Sequence, residues 1–216
     1  MPAKPKLGQN FLTDAQAIQR IAASLGDLSL RTVIEVGPGA GAITATLAAR
    51  AAHVVAVELD PSLAAHLRTQ FPADRVTVIQ QDVLTFDFAA ASAAAGQPLL
   101  VFGNLPYGIT TPILLKLAAS HAALDCAVLM VQREVADRIA APPGSRAYGL
   151  LSQNLQGGSV PGESYMGSQG NGYGYNNITF AENEEKSVWE PLHVQKGFKA
   201  SDSAVSIFFG CRSTTF

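Results

Sequence analysis

The sequence is poor in cysteine, in charge and in long apolar runs, and each shortage excludes a class of protein. Its 216 residues include two cysteines, Cys126 and Cys211, too few for a disulfide framework or a zinc site, so no metal is expected. Charged residues make up 15% and the formal net charge is −2, which excludes binding to nucleic acid by bulk positive charge alone. No apolar run is long enough to cross a membrane, and no signal peptide pattern follows Lys4 and Lys6. We therefore expect a soluble cytoplasmic monomer without membrane contact.

The composition changes sharply near residue 153 and divides the chain into two segments. Residues 1–152 contain 31 alanines and 11 residues of each charge sign, whereas residues 153–216 contain three alanines and carry the whole net charge. Seven glycines between residues 157 and 177 raise the entropy cost of ordering that stretch. We predict one domain at 1–152 and a Gly-, Ser- and Asn-rich tail at 153–216. The tail should be the least ordered part, and edge strands near 186–194 and 203–209 are the alternative.

The first segment alternates the patterns of strands and helices. Short apolar runs predict strands at 32–36, 53–59, 76–80, 99–102 and 127–131. Between and after them, helices are predicted at 42–50, 61–70, 112–120 and 134–140, and a further helical pattern ends at Gly26. This alternation predicts an α/β fold with a mostly parallel sheet covered by helices on both faces. Ligands of such sheets bind beyond the carboxyl ends of the strands.

Three successive strand ends carry residues suited to a nucleoside cofactor. Gly37 and Gly39 fit a turn that approaches a ligand closely, although a ligand-free strand-to-helix turn has the same pattern. Glu58 lies 19 residues after Gly39, where an acid accepts hydrogen bonds from a ribose diol in both NAD and S-adenosylmethionine sites. Asp60 precedes a proline and is expected to cap the next helix. Asp82 can accept a bond from an adenine amino group or simply form a turn.

The fourth strand ends in an Asn-Leu-Pro-Tyr motif that favours chemistry on an amino group. The amide oxygen of Asn104 and a nearby backbone carbonyl can both accept from the hydrogens of an adenine N6 amine, and Leu105 and Pro106 are candidate catalytic residues of the same motif. Those bonds would free the nitrogen lone pair, and Tyr107 could stack on a flipped base. The alternative is an Asn-Pro turn with a packed tyrosine. A dehydrogenase, which the glycine turn alone would also suit, has no use for this motif.

Several pieces of residues 4–152 occur together in the order typical of one family. These pieces are Gly8-Gln9-Asn10-Phe11-Leu12, Glu35-Val36-Gly37-Pro38-Gly39, Val57-Glu58-Leu59-Asp60, Gln81-Asp82, Gly103-Asn104-Leu105-Pro106-Tyr107 and Gln132-Arg133-Glu134-Val135-Ala136. With them the chain resembles the small-subunit ribosomal RNA adenine N6,N6-dimethyltransferases. The resemblance implies a Rossmann-like methyltransferase fold and contacts to S-adenosyl-L-methionine from Asn10, Leu12, Gly37, Glu58, Asp82 and Asn104. It also implies that immature small ribosomal subunits are the partner. The substrate would be two adjacent adenines near the 3′ end of the RNA, each methylated twice.

The resemblance stops near residue 152. Residues 153–197 do not resemble the family's continuation, and the helical RNA-binding domain that follows it in the family is not found in this sequence. Two hypotheses therefore stay open. The first is an active dimethyltransferase, and the second is a ribosome-assembly or RNA-binding factor that keeps the cofactor fold without catalysis.

Overall fold

A single sheet of six strands forms the centre of the protein. The computed structural model describes residues 18–19, 22–23, 25–106, 108–139, 141–155 and 204–209. The strands are β1 (Thr32–Val36), β2 (His53–Glu58), β3 (Val76–Gln80), β4 (Leu99–Asn104), β5 (Leu124–Gln132) and β6 (Ala204–Phe209), in the spatial order β3-β2-β1-β4-β5-β6. Every neighbouring pair is parallel except β5 and β6, which pair antiparallel. The predicted α/β fold with a mostly parallel sheet is confirmed.

Helices cover both faces of the sheet. They are α1 (Ala42–Arg50), α2 (Pro61–Gln70), α3 (Phe88–Ala95), α4 (Thr110–Ala119), α5 (Arg133–Ile139) and α6 (Leu150–Leu155), with short 3₁₀ turns at Val83–Thr85 and His121–Ala123. Val33 packs in one core cluster with Leu47 of α1, and its neighbour Ile34 packs in another with Ile113 of α4. Successive residues of a strand point to opposite faces, so two apolar layers enclose the sheet. Among the described helices, none has the length and hydropathy that a membrane span requires.

The parallel arrangement brings four strand ends to one edge of the sheet. Val36 at the end of β1 pairs with Val57 of β2 on one side and with Gly103 of β4 on the other. Glu58, the last residue of β2, pairs with Gln80, the last residue of β3. The loops after β1, β2, β3 and β4 therefore start side by side, which is where open α/β sheets bind ligands.

Two helices were not expected from the sequence. Helix α3 is almost all alanine and therefore shows no apolar period, but its ends carry clear signals. The side chain of Asp87 accepts from the N–H of Ala90 at 2.9 Å, and Gly96 ends the helix with φ +64°. Helix α6 crosses the predicted boundary between residues 152 and 153.

Outside these helices, the described ends of the elements lie within a few residues of the expected ones. Strand β4 extends to Asn104 rather than 102, and β5 spans Leu124–Gln132 rather than 127–131. Ile18 and Ala22 of the first predicted helix are buried, and Gly26 after it has φ +76°. Strand β6 lies within the 203–209 segment, while the glycine-rich stretch 157–177 and the segment 186–194 lie outside the described residues.

Candidate functional site

The loop between β1 and α1 is a tight turn built on glycine. Gly37, Gly39 and Gly41 all have positive φ, at +64°, +60° and +86°. The N–H of Gly37 donates to the carbonyl of Val57 at 3.0 Å, and the N–H of Gly41 donates to that of Pro38 at 3.0 Å. Gly41 precedes the first residue of α1 and has no side chain to cap it. The first-turn N–H groups of α1 are therefore available to a ligand.

The glycines at the two ends of this turn have different roles. A Cβ on Gly41 would lie 2.9 Å from side-chain atoms of both Leu67 and Phe71, so Gly41 allows the turn to pack on α2. A Cβ on Gly37 would meet no atom within 4 Å. The space in front of Gly37 is open, as a cofactor approaching the end of β1 requires.

Glu58 joins the first two strand ends rather than only facing a ligand. Glu58 is 4% exposed, its Oε2 accepts from the N–H of Gly39 at 3.0 Å, and its Oε1 accepts from the N–H of Asp60 at 2.9 Å. Each carboxylate oxygen has a second lone pair. Glu58 can therefore hold the glycine turn in place and still accept from a ribose hydroxyl.

Two aspartates cap the turns beyond β2 and β3. The Oδ1 of Asp60 accepts from the N–H groups of Ser62 at 2.7 Å and Leu63 at 3.2 Å, which confirms its role as the N-cap of α2. The Oδ1 of Asp82 accepts from the N–H of Leu84 at 2.9 Å. No donor among the described residues bonds to the Oδ2 of Asp82. The turn role of Asp82 is therefore compatible with a ligand at its second oxygen.

The Asn-Leu-Pro segment begins at the last residue of β4 and is fixed by β5. Asn104 is half-buried and pairs in register with Met130. The N–H of Leu105 donates to the carbonyl of Met130 at 3.0 Å, and the carbonyl of Leu105 accepts from Nε2 of Gln132 at 3.4 Å. The Leu105 side chain packs in the core, and both of its backbone polar groups bond to residues of β5. Sequence reasoning included Gln132 in a piece typical of the family but gave it no role, because its contact with Leu105 spans 27 residues of the chain.

The carbonyl of Pro106 is already doubly hydrogen-bonded. It accepts from the N–H of Ile109 at 3.3 Å and from the hydroxyl of Thr110 at 3.1 Å. A carbonyl oxygen has two lone pairs, so both are in use. Tyr107, which completes the motif, and the predicted cofactor contacts Asn10 and Leu12 lie outside the described residues.

A second buried carboxyl, Glu35, lies in β1 just before the glycine turn and was given no role in the sequence analysis. It is 2% exposed within β1, and its Oε2 has no hydrogen-bond partner among the described residues. Burial, helped by the negative charge of Glu58, raises the pKa of Glu35 to about 7. The signal available in the sequence was an acid inside an otherwise apolar strand.

The fold and the site together define the class: a Rossmann-like fold of S-adenosylmethionine-dependent methyltransferases. Two solved structures share this fold. One is the 23S ribosomal RNA methyltransferase ErmE, with TM-score 0.53, 33% identity, and coverage of 60% of this chain and 50% of that one. The other is a dimethyladenosine transferase from Plasmodium falciparum, with TM-score 0.58, 24% identity, and coverage of 68% and 52%. The chain belongs to the ribosomal RNA adenine dimethylase family, whose sequence model matches residues 2–157.

Curated relatives agree with this family. The chain is 56% identical over 154 residues to the ribosomal RNA small subunit methyltransferase A of Acidobacterium capsulatum, covering 71% of this chain and 54% of that protein. It is 48% identical over 165 residues to the protein of the same name from Koribacter versatilis, covering 71% and 58%. The chain thus spans a little over half the length of the curated relatives that it matches.

Proposed function

We propose that the protein is a small-subunit ribosomal RNA methyltransferase that dimethylates N6 of two adjacent adenines near the 3′ end of that RNA. The observation that carries the proposal is the Asn104-Leu105-Pro106 segment, which is fixed beside the glycine turn at the ligand-binding edge of the sheet. Its cofactor is S-adenosyl-L-methionine, the methyl donor of the class to which the family belongs.

The residues at the strand ends fit this cofactor. The second lone pairs of the Glu58 carboxylate suit the ribose hydroxyls, and Oδ2 of Asp82 suits the adenine amino group. Gly37 leaves the space that the ligand needs, and the turn around Gly39 is held at Glu58. When bound, the cofactor supplies an electrophilic methyl group.

The substrate amine needs two acceptors, and the geometry favours one pair. We assign them to the amide oxygen of Asn104 and the carbonyl of Leu105. The Pro106 carbonyl is already occupied by two donors, whereas Gln132 is the one donor among the described residues that bonds to the Leu105 carbonyl. Two accepted N–H bonds draw the amine away from planarity, which restores the lone pair that conjugation with the ring would otherwise remove. The proton lost after transfer passes to solvent, and Tyr107 is proposed to stack on the base.

The partner and the cellular setting follow from this substrate. We propose that the protein acts as a cytoplasmic monomer on immature small ribosomal subunits. The names of the two bacterial relatives, each a small subunit methyltransferase, support the choice of subunit. The family's sequence model matches residues 2–157, so we propose that this part of the chain contacts the subunit.

The test is to identify the product. Immature small subunits are incubated with the protein and S-adenosylmethionine, and the RNA is digested and analysed by mass spectrometry. The proposal expects N6,N6-dimethyladenosine at adjacent positions near the 3′ end. Tight binding to the subunit with no modified adenine would instead identify a non-catalytic assembly factor.

A further inference from the structure

Gln132 is a buried polar side chain that the reaction described above does not use. It is the last residue of β5 and is 8% exposed, and its Nε2 donates to the carbonyl of Leu105. We propose that Gln132 is a positioning residue for methyl transfer, whose amide sets the direction of the Leu105 carbonyl that accepts from the substrate amine. This inference rests on the proposed function.

Both backbone polar groups of Leu105 are held by β5. Its N–H bonds to the carbonyl of Met130 at 3.0 Å. In a regular parallel ladder, a residue whose N–H bonds to one carbonyl of the partner strand accepts, at its own carbonyl, the N–H two positions further along that strand. For Leu105 this second residue would be Gln132. The donor observed is the side-chain amide of Gln132, at 3.4 Å. A side chain thus continues the ladder one residue beyond the end of β4.

The peptide group between Leu105 and Pro106 depends on this bond more than an ordinary peptide would. Proline has no backbone N–H, so the Leu105 carbonyl is the only polar group of that peptide. The Gln132 amide is its donor among the described residues. Without Gln132 the peptide would lose the contact that fixes its tilt.

A role in positioning differs from a role in folding through the quantity that each affects. If Gln132 orients an acceptor needed mainly in the transition state, its loss lowers kcat and spares KM and cofactor affinity. If Gln132 only stabilises the fold, its loss lowers the melting temperature and leaves kcat of the folded enzyme unchanged.

The test uses two variants and one matched control. Gln132→Met keeps the length of the side chain and removes the donor. Gln132→Glu replaces the amide by a carboxyl, which repels the Leu105 carbonyl when ionised and can donate an O–H when protonated. The control is Gln97→Met, because Nε2 of Gln97 also donates to a backbone carbonyl, that of Leu30 at 2.9 Å, at the opposite end of the strands. All are assayed with labelled S-adenosylmethionine and immature small subunits, alongside calorimetry for the cofactor.

We expect Gln132→Met to lower kcat about tenfold, the effect of one lost hydrogen bond, with KM and cofactor Kd unchanged. Gln97→Met should keep the parent kcat. The Gln132→Glu enzyme should regain activity relative to the parent as the pH falls. A parent kcat in Gln132→Met, or equal losses in kcat and cofactor affinity, would overturn the proposal.

If the Met variant does not fold, the Glu variant decides. A pH profile parallel to that of the parent would then contradict the role of Gln132. A parent protein that binds the cofactor and methylates nothing would overturn the proposed function itself. An active parent with an unaffected Gln132→Met variant would overturn only the positioning role.

Discussion

Glu58 has two functions that a single substitution removes together. Its carboxylate holds the N–H groups of Gly39 and Asp60, and we propose that it also binds the cofactor ribose. We expect Glu58→Ala to weaken S-adenosylmethionine binding by roughly 10- to 150-fold, the cost of about 1.5–3 kcal/mol for lost bonds to a charged group. Glu58→Gln should weaken cofactor binding nearly as much, because the amide NH₂ group would replace one acceptor oxygen and face a backbone N–H donor. Calorimetric titration with S-adenosylmethionine and with NAD measures both effects.

The control for Glu58 is Asp27→Asn. Asp27 also accepts from a backbone N–H, that of Ser29 at 2.9 Å, but it precedes β1 and lies at the other end of the strands. Its substitution should leave cofactor affinity unchanged. Preferential binding of NAD by the parent protein, or an unchanged Kd in Glu58→Ala, would contradict the assignment of this site.

Glu35 makes the stability of the protein depend on pH. Its pKa of about 7 in the folded state is above the ordinary value of 4.5, so the folded state holds a proton that the unfolded state releases. The stabilising contribution is complete below pH 4.5, declines as the pH rises and is lost above about 7. Glu35→Gln cannot ionise. The difference in unfolding free energy between this variant and the parent should therefore shift in favour of the variant by about 2–3 kcal/mol from pH 5 to pH 8. Urea unfolding at the two pH values measures this difference, and equal differences at both would contradict the buried-acid account.

The glycines of the turn between β1 and α1 should respond differently to substitution by alanine. Gly37 and Gly96 both have φ +64° and open space at the position of a Cβ, but Gly96 ends α3 away from the site. Alanine at either position should cost about 1–2 kcal/mol of stability through left-handed strain. Only Gly37→Ala should weaken cofactor binding. Gly41→Ala should cost more stability than either, because its Cβ would also press on Leu67 and Phe71.

Chemical unfolding and cofactor titration of the three alanine variants check this prediction together. A loss of cofactor affinity in Gly96→Ala equal to that in Gly37→Ala would show that the effect is one of stability. Equal unfolding free energies for Gly41→Ala and Gly37→Ala would show that the turn does not pack on α2 as described.

The elements that the sequence could predict are those with a clear local signal. Strand β1 is a short apolar run that stops at Gly37, and α2 opens with Asp60 and Pro61, so their ends follow from local chemistry. Helix α3 has no such pattern along its alanines, and only its caps mark it. The candidate site could likewise be predicted only in part. The residue types at the strand ends could be predicted, whereas the bonds from Gly39 to Glu58 and from Gln132 to Leu105 join residues 19 and 27 positions apart and depend on the folded sheet.

In the molecule as a whole, β6 connects the distant end of the chain to the domain that carries the site. It pairs antiparallel with β5, and Ala204 stands opposite Gln132. Hydrogen exchange should therefore show protected amides within 204–209. Their exchange should be slower than in an unpaired chain but faster than in β1, which is flanked by strands on both sides. Exchange at the unprotected rate across 204–209 would show that this strand does not dock.

The central claim, that the ends of β1 to β4 bind the cofactor and Asn104 activates the amine, is tested most directly by separating binding from transfer in one variant. The measurement is single-turnover methyl transfer to immature small subunits at saturating S-adenosylmethionine, for the parent and for Asn104→Ala, with cofactor Kd from calorimetry. The account predicts that the parent transfers label to adenine N6. It predicts that Asn104→Ala binds the cofactor with at most a small loss while its transfer rate falls by about a hundredfold or more, as for other preorganised groups that act in a transition state. Transfer by Asn104→Ala at the parent rate would contradict it.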